Sequence, residues 1–188
     1  NQGYSWLVGG VVAKPMGNAH PTVVPYRTFE AADGPLVVAV GNDGQYRNLC
    51  LALDRADLAD DPRFATATTR VINREPLEAA LQTAISARRV HELIDALSAR
   101  GVPCGPINTM DEVFADPQIE ARGVVHHFTR ADGFATPGVA YPPKMSATPA
   151  DYRRAPPRLN EHRSEILRDW LDLAAEEEAR LVAAGALS

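Results

Sequence analysis

The chain has 188 residues, with 19 lysines and arginines against 24 aspartates and glutamates, and its formal net charge is −5. The longest strictly apolar runs, residues 36–40 and 49–53, are far short of the roughly 20 residues that a membrane-spanning helix needs. Mild acidity without a basic block excludes a nucleic-acid-binding footprint, and two cysteines are too few for a disulfide framework. We therefore expect a cytoplasmic protein that binds neither membranes nor nucleic acids.

The N-terminal part of the chain is predicted to lead from a short helix into a β-hairpin. Apolar side chains within residues 4–8 lie at helical spacing. Turn-forming residues then dominate, except at 26–29, where the alternation is typical of a strand. Asp33 and Gly34 form a strong hairpin-turn pair, and the apolar run 36–40 predicts a returning strand that is buried on both faces.

Helices are predicted to dominate the middle of the chain. Asp43 is expected to cap the first of them, and the residues around Asp61 form a polar turn. The clearest helix begins at Asn73 and carries an apolar stripe over 77–85, with a proline in the tolerated first turn. A second amphipathic helix ends at Gly101, which suits the left-handed position after a helix C-terminus.

The last part of the chain is predicted to hold short elements joined by proline-rich connections. We expect two short helical turns split at Asp116–Pro117, followed by a strand over 124–128. Weaker strand candidates lie at 139–141 and Met145. An extended connector over 149–158 then leads to closing helices around 166–171 and 176–184. Together with the preceding segments, these elements predict an α+β protein in which helices predominate over a small sheet.

Two polar, glycine-containing loops are the candidate site. The first combines a flexible glycine with an amide and an imidazole. The second follows a strand and precedes a helix N-terminus, where backbone N–H groups can hold an anionic or carbonyl oxygen. The candidate residues are Gly17, Asn18, His20 and Pro21 in the first loop, and Gly41, Asn42 and Asp43 in the second. The structural alternative is that the glycines only permit tight turns and that Asp43 only caps a helix.

The remaining histidines and cysteines favour structural roles. His126 and His127 are adjacent on a predicted strand, so their side chains face opposite ways and are poorly placed to share a metal ion. Cys50 and Cys104 lack the spacing of a metal or redox motif, and each is interpreted as a small hydrophobic residue. No metal is expected.

Five collinear segments resemble the class III CoA-transferases, the family of formyl-CoA transferase, carnitine CoA-transferase and the α-methylacyl-CoA racemases. A single segment of this kind would be a weak signal, whereas five in order are specific. The segments are AVGNDGQ at 39–45, ADDPRFA at 59–65, GVPCGPIN at 101–108, FADPQ at 114–118 with ARG at 121–123, and RAPP at 154–157 with EH at 161–162.

The resemblance implies a division of the chain into three parts. Residues 1–25 would be the end of a helix and a lid loop linking from a large domain, residues 26–140 the small domain, and residues 141–188 a connector and helices that return to the large domain. The large domain, with its parallel sheet and most of the CoA-binding surface, would be missing from this chain. The expected fold is thus α+β: a small mixed α/β domain with a little antiparallel sheet and several helices, plus C-terminal helices that pack on a missing large domain.

The resemblance also implies covalent chemistry in which coenzyme A thioesters are substrates. In the family, a catalytic aspartate attacks an acyl-CoA and an acceptor carboxylic acid completes the exchange. That aspartate is expected upstream of Asn1, so we expect no catalytic residue within the chain, which alone would be inactive. The first loop would be the lid, and Asn42 and Asp43 would contact substrate. Full-length family members form homodimers whose chains interlock like rings.

The family pattern is not matched everywhere. The first loop has one glycine before His20, and not the glycine run of formyl-CoA transferase. The usual Gly-Glu-His-Thr before the late helix is replaced by residues 160–163, so Asn160 is expected in a left-handed conformation and Asn160 or Ser164 as the helix cap.

Two other functions compete with a CoA-transferase. One is an α-methylacyl-CoA racemase, although that branch carries a glutamate in the loop where this chain has Asn42 and Asp43. The other is a non-catalytic CoA-binding or oligomerisation module.

Overall fold

A computed structural model describes residues 2–187, and the chain divides into two compact units. The N-terminal unit reaches to Asn108 and the C-terminal unit begins at Thr109. This division differs from the boundaries at 25 and 140 that the family resemblance implies. Those boundaries concern packing against a further domain, and they stay a prediction.

The N-terminal unit is a three-stranded antiparallel sheet packed against helices. Its helices are α1 (Gln2–Gly9), α2 (Asp43–Ala52), α3 (Ala56–Ala59), α4 (Ala67–Ile72), α5 (Arg74–Ser86) and α6 (Val90–Ser98), with a 3₁₀ turn over Pro62–Phe64. Its strands are β1 (Tyr26–Ala31), β2 (Gly34–Ala39) and β3 (Cys104–Pro106), in the spatial order β1-β2-β3. The predicted α+β class is confirmed, as are α5, α6 and the hairpin.

The hairpin turn lies one residue earlier than predicted. Ala31 pairs with Gly34, so the two-residue loop consists of Ala32 and Asp33, and Gly34 already belongs to β2. The Asp33 carboxylate accepts a hydrogen bond from the Val90 main-chain N–H at 2.7 Å. Because this bond satisfies a free N–H at the start of α6, Asp33 serves as a cap from a distant segment as well as a turn residue.

The prediction that β2 is buried on both faces is wrong. Leu36 and Val38 are fully buried, whereas the intervening Val37 and Ala39 are only half-buried. The sheet is antiparallel, and such sheets commonly pack only one face against the core. The buried face meets the apolar sides of three helices in one core, which includes Leu49, Cys50, Leu77, Leu81, Ile85, Leu93 and Leu97.

Gly101 ends α6 as predicted. Its φ is +68°, a left-handed conformation that glycine adopts without the steric cost of a Cβ atom. The Val102 N–H then donates to the Leu97 carbonyl at 3.0 Å, which satisfies a carbonyl of the last helical turn.

The C-terminal unit consists of short elements with little core. Its helices are α7 (Met110–Ala115), α8 (Pro117–Ala121), α9 (Arg163–Leu171) and α10 (Ala175–Ala183), and its two-stranded antiparallel sheet pairs β4 (Val125–Thr129) with β5 (Ala135–Val139). Within residues 109–187, Ala140 is the single buried residue. Ion pairs link its surface, including Arg154 with Glu165 at 2.7 Å and Arg163 with Glu178 at 2.9 Å.

Three predictions for the C-terminal unit are wrong, and one of them is the strand candidate at Met145, which lies outside both strands of this unit. β5 covers Ala135–Val139 and not 139–141, because the strand pairs with β4 from Thr129 opposite Ala135 onward. The N-cap of α9 is His162, whose side chain makes no capping hydrogen bond, and not Asn160 or Ser164. Ser164 Oγ instead donates to Glu178 Oε1 at 2.8 Å. Asn160 does adopt the expected left-handed conformation, with a φ of +70°.

The Asp33 contact predicts a pH-dependent loss of stability in Asp33→Asn. The Val90 N–H and then the Arg89 guanidinium hold the pKa of this carboxyl below its ordinary value of 3.8. A lowered pKa in the folded state adds stability above the pKa of the unfolded chain, and this stability is lost as the pH falls through the folded-state pKa. Asp33→Asn should therefore have a lower free energy of unfolding than the wild type at pH 7, by an amount that shrinks below pH 4.

Urea unfolding at pH 7, 5 and 3 measures this difference. Asp95→Asn is the matched control, since Asp95 is exposed on α6 and should leave stability nearly unchanged at each pH. If the free energy of unfolding of Asp33→Asn stays below the wild-type value by the same amount down to pH 3, the stabilising role of the Asp33 carboxylate is contradicted.

Candidate functional site

The 17–21 loop is anchored to β1 through Asn18 and His20. The His20 N–H donates to the Tyr26 carbonyl at 2.9 Å, and the His20 ring stacks on the Tyr26 ring with centroids 5.4 Å apart. Asn18 Oδ1 accepts from the Thr28 N–H at 3.3 Å. Gly17, at the other end, has a φ of +61°, so the loop begins at a residue with a wide conformational range.

A cleft of about 890 Å³ lies beside this loop and places His20 and Pro21 opposite α1. Its walls are largely apolar, and Lys14 and His20 are among its polar lining residues. Such a surface suits a ligand with both an apolar part and an anionic group. Tyr4, Ser5, Val11, Val12, Ala13, Lys14, Met16, Ala19, His20, Pro21 and Thr22 line the cleft.

The 41–45 loop is organised by Asn42, and the prediction that Asp43 caps α2 is wrong. Asn42 has extended backbone angles and its Oδ1 accepts from the Gln45 N–H at 2.9 Å, whereas Asp43 is already the first helical residue. The Gly41 N–H donates to Gln45 Oε1 at 2.7 Å. Within the described chain, the N–H groups of Asn42, Asp43 and Gly44 are therefore the ones left in this loop to hold a ligand oxygen.

Freed from capping, the Asp43 carboxylate pairs with Arg70 on α4. Arg70 Nη2 donates to Asp43 Oδ1 at 2.7 Å, and the Arg70 side chain is 1% exposed. Nε donates to the Val24 carbonyl at 2.9 Å and Nη1 to the Phe64 carbonyl at 3.1 Å. All three guanidinium nitrogens are thus satisfied, and a buried cation is held by one carboxylate and two main-chain dipoles.

The ring of Tyr46 completes the surroundings of Arg70. Arg70 Cζ lies 4.5 Å from the ring centroid, at cation–π distance. Burial raises the pKa of the Tyr46 phenol, and its hydroxyl donates to the Leu58 carbonyl at 2.9 Å. The phenol is therefore neutral and fixed in position beside the Arg70 guanidinium.

A second arginine, Arg74 at the start of α5, secures the 17–21 loop. Arg74 Nη2 donates to the His20 and Pro21 carbonyls at 2.8 and 3.0 Å. Glu78 holds Arg74 through a 3.2 Å contact from Nη1 to Oε1, and its other oxygen accepts from Arg27 at 2.6 Å. Among the described residues no hydrogen bond joins the two loops directly. Arg70 links them, because it binds Asp43 and the Val24 carbonyl, while Arg74 binds the His20 and Pro21 carbonyls.

The sequence reasoning did not single out Arg70 or Arg74. Arg70 lies on the short helix α4 and Arg74 begins α5, so the two arginines do not share one continuous helical face that a periodic pattern would reveal. Arginines in that position can be exposed or buried, and only the tertiary contacts decide which.

The other singled-out side chains have surroundings that fit structural roles. His126 is half-buried and stacks on Tyr152 with centroids 4.5 Å apart, while His127 is exposed on the opposite face of β4. Cys50 is buried in the core, which raises the pKa of its thiol, and Cys104 is half-buried. No group of three or more potential metal-ligating side chains occurs within residues 2–187. None of the helices there has the length and hydrophobicity to cross a bilayer.

Comparison with known proteins relates this chain to enzymes that transfer coenzyme A. It is 41% identical over 169 residues to succinate–glutarate CoA-transferase of Agrobacterium fabrum, a match covering 90% of this chain and 42% of the relative. It is 33% identical over 183 residues to human succinyl-CoA:glutarate CoA-transferase, covering 96% of this chain and 41% of the relative. The chain thus spans about two fifths of the length of these relatives.

Solved structures agree with the sequence comparison. A CaiB/BaiF family protein from Brucella suis is 41% identical, with a TM-score of 0.70 over 88% of this chain and 42% of that chain. The model of the family described as CoA-transferase family III matches residues 1–163, which include both loops and both arginines. The resemblance carried by the five segments is confirmed, and the chain belongs to CoA-transferase family III.

Proposed function

We propose that this chain is the C-terminal part of an enzyme that transfers coenzyme A from an acyl-CoA to a carboxylic acid. The family match over residues 1–163 carries the proposal. Relatives named for succinate, glutarate, mesaconate and oxalate support short dicarboxylic acids as the acceptor class. Lys14 in the cleft beside the 17–21 loop offers a cation to the second carboxylate of such an acid.

The proposed chemistry uses an aspartate outside this chain as nucleophile, as the family resemblance implies. Its carboxylate attacks the thioester carbonyl, forming an aspartyl anhydride and releasing CoA thiolate. The thiolate attacks the aspartyl carbonyl, giving an aspartyl-CoA thioester and the free donor acid. The acceptor carboxylate then attacks that thioester to give a second anhydride and CoA thiolate, and attack of the thiolate on the acceptor carbonyl yields the new acyl-CoA and regenerates the aspartate.

The proposed part of this chain in that chemistry is to position substrate and exclude water. Gly17, Asn18, His20 and Pro21 would form a lid, since an anhydride must be protected from hydrolysis. The hydrogen bond that anchors His20 to β1 and the glycine at the start of the 17–21 loop support a lid that pivots near Gly17.

The second loop would act on the substrate side. Gly41, Asn42 and Asp43 would contact the substrate, with the main-chain N–H groups of Asn42 and Asp43 and the outer oxygen of the Asp43 carboxylate as the polar contacts. The Gly41 N–H is already bonded to Gln45 Oε1. The Asn42 cap, which fixes the start of α2, supports a rigid surface there.

We also propose an interlocked, cytoplasmic homodimer in which 1–25 and 141–188 flank the small domain and pack on a large domain. Exposed apolar side chains in both segments support this, notably Leu7, Val8 and Trp170, which are 77%, 83% and 83% exposed. Unpaired apolar groups of this size favour burial against another surface.

Succinyl-CoA and labelled glutarate test the proposed reaction in the protein encoded by the complete gene. Labelled glutaryl-CoA is expected as the product, and alanine at the upstream aspartate should abolish its formation. The 188-residue chain alone should give none, and turnover by it would contradict the placing of the nucleophile. A racemase would instead exchange the α-proton of a 2-methylacyl-CoA with deuterium from D₂O.

A further inference from the structure

We propose that Arg70 is a positioning residue that neutralises and orients the Asp43 carboxylate where the 41–45 loop meets an anionic substrate. The inference rests on the proposed function, because that function places a carboxylic acid beside this loop. Arg70 itself touches no reacting atom. It acts through Asp43, and this role is assigned from the contacts of its guanidinium group with Val24, Phe64 and Tyr46.

The guanidinium is fixed before it meets Asp43. Nε and Nη1 are held by the carbonyls of Val24 and Phe64, and the Tyr46 ring lies beside the cation. These contacts leave Nη2 directed at Asp43 Oδ1, 2.7 Å away. A planar guanidinium held at two corners cannot follow a moving carboxylate, so the carboxylate takes the orientation that Arg70 sets.

Asp43 is exposed on its other side. Its side chain is 57% exposed although its partner is buried. Because Asn42 caps α2, the carboxylate is not needed to satisfy the helix N-terminus. Oδ2 takes part in no described hydrogen bond within residues 2–187, and it is the atom left to accept a hydrogen bond from a ligand N–H or O–H group.

Charge explains why the pair is needed. An acyl-CoA and its acceptor acid are both anions, and an unpaired aspartate beside them would repel them. Paired with Arg70, Asp43 contributes no net charge while still offering an acceptor oxygen. The repulsion between two unit charges at hydrogen-bonding range at an effective dielectric constant near 20 is large enough to change a binding constant by about tenfold or more.

The same guanidinium joins the two loops. Its bond to the Val24 carbonyl fixes the chain just after the 17–21 loop, which Arg74 holds at His20 and Pro21. The orientation of Asp43 is therefore tied to the segment that anchors the proposed lid.

Three variants of the complete enzyme test the inference, with the KM for glutarate, kcat and Tm measured for each. Arg70→Gln removes the charge, and the KM for glutarate should rise about tenfold. Arg70→Lys keeps a cation but not the planar fork, so its Tm and kcat should fall while the KM stays within about threefold of the wild type. Arg70→Gln combined with Asp43→Asn removes both charges, and the KM should return toward the wild-type value.

The outcomes separate the inference from the proposed function. Wild-type enzyme that transfers no CoA to any dicarboxylic acid overturns the proposed function and the inference with it. If the wild type is active, an equal KM increase in Arg70→Lys and Arg70→Gln, or an unrecovered KM in the double variant, overturns the inference alone. If Arg70→Gln does not fold, the Arg70→Lys variant provides the test. A KM for glutarate near the wild-type value supports the neutralising role of Arg70, and a tenfold increase in that KM overturns it.

Discussion

Replacing Glu78 by alanine is expected to lower the free energy of unfolding by about 3 kcal/mol, because removal of one partner from a buried ion pair leaves uncompensated charge. The Glu78 side chain is 10% exposed and binds two guanidiniums, at 2.6 Å to Arg27 and at 3.2 Å to Arg74. Both cations would lose their carboxylate. Arg27 can turn into solvent, whereas Arg74 is 15% exposed and is held by the 17–21 loop.

Urea unfolding of Glu78→Ala beside Glu75→Ala measures this effect. Glu75 lies exposed in the first turn of the same helix, where a carboxylate contributes about 0.3–1 kcal/mol through the helix dipole. Comparable losses in the two variants would show that Glu78 acts as an ordinary surface charge. Because Glu78 holds Arg74, the variant should also loosen the anchor at His20 and Pro21.

Leu81→Ala is expected to cost about 2–5 kcal/mol of stability, the range for truncating a fully buried leucine. Leu81 is 0% exposed at the centre of α5 and belongs to the single core of the N-terminal unit. The cost combines lost burial with a cavity that neighbouring helices and β2 can fill only in part.

Thermal and urea unfolding check this value against Ile72→Ala. Ile72 ends α4 and is 75% exposed, so the same kind of truncation should change the free energy of unfolding by less than about 0.5 kcal/mol. A Leu81→Ala loss as small as that of Ile72→Ala would mean that the core around α5 is not packed as described.

The elements that the sequence predicted well are those with strong periodicity. The apolar stripe of α5 and the cap at Gly101 are local patterns, and both occur where expected. Within the segment 56–72 the sequence predicted only a polar turn around Asp61, yet the segment contains α3, the 3₁₀ turn and α4. These helices are too short for a periodic signal, and local caps such as the reciprocal Thr66 and Thr69 contacts define them.

The short strand β3 was missed for a related reason. It has three residues, including a glycine and a proline that weaken any strand pattern. It forms because Val38 on β2 pairs with Cys104 at the edge of the sheet, a contact between residues far apart in sequence. Pattern rules that consider a short window cannot detect such pairing.

For the candidate site, the sequence indicated the loops but not what holds them. Glycine and polar residues marked both loops, and the family resemblance suggested their roles. The partner of Asp43 is Arg70, 27 positions away, and the Val24 carbonyl is 46 positions from Arg70. Burial of an arginine depends on such distant partners, so its importance could not be derived from local sequence.

The near absence of buried side chains in residues 109–187 makes that unit sensitive to ionic strength. Because few side chains of this unit are buried, ion pairs such as Arg154 with Glu165 and Arg163 with Glu178 contribute a larger share of its conformational stability. Exposed pairs are weakened when added electrolyte shortens the Debye length, from about 10 Å at 0.1 M to about 3 Å at 1 M. Concentrated salt should therefore loosen α9 and α10 under conditions that the apolar core of the N-terminal unit withstands.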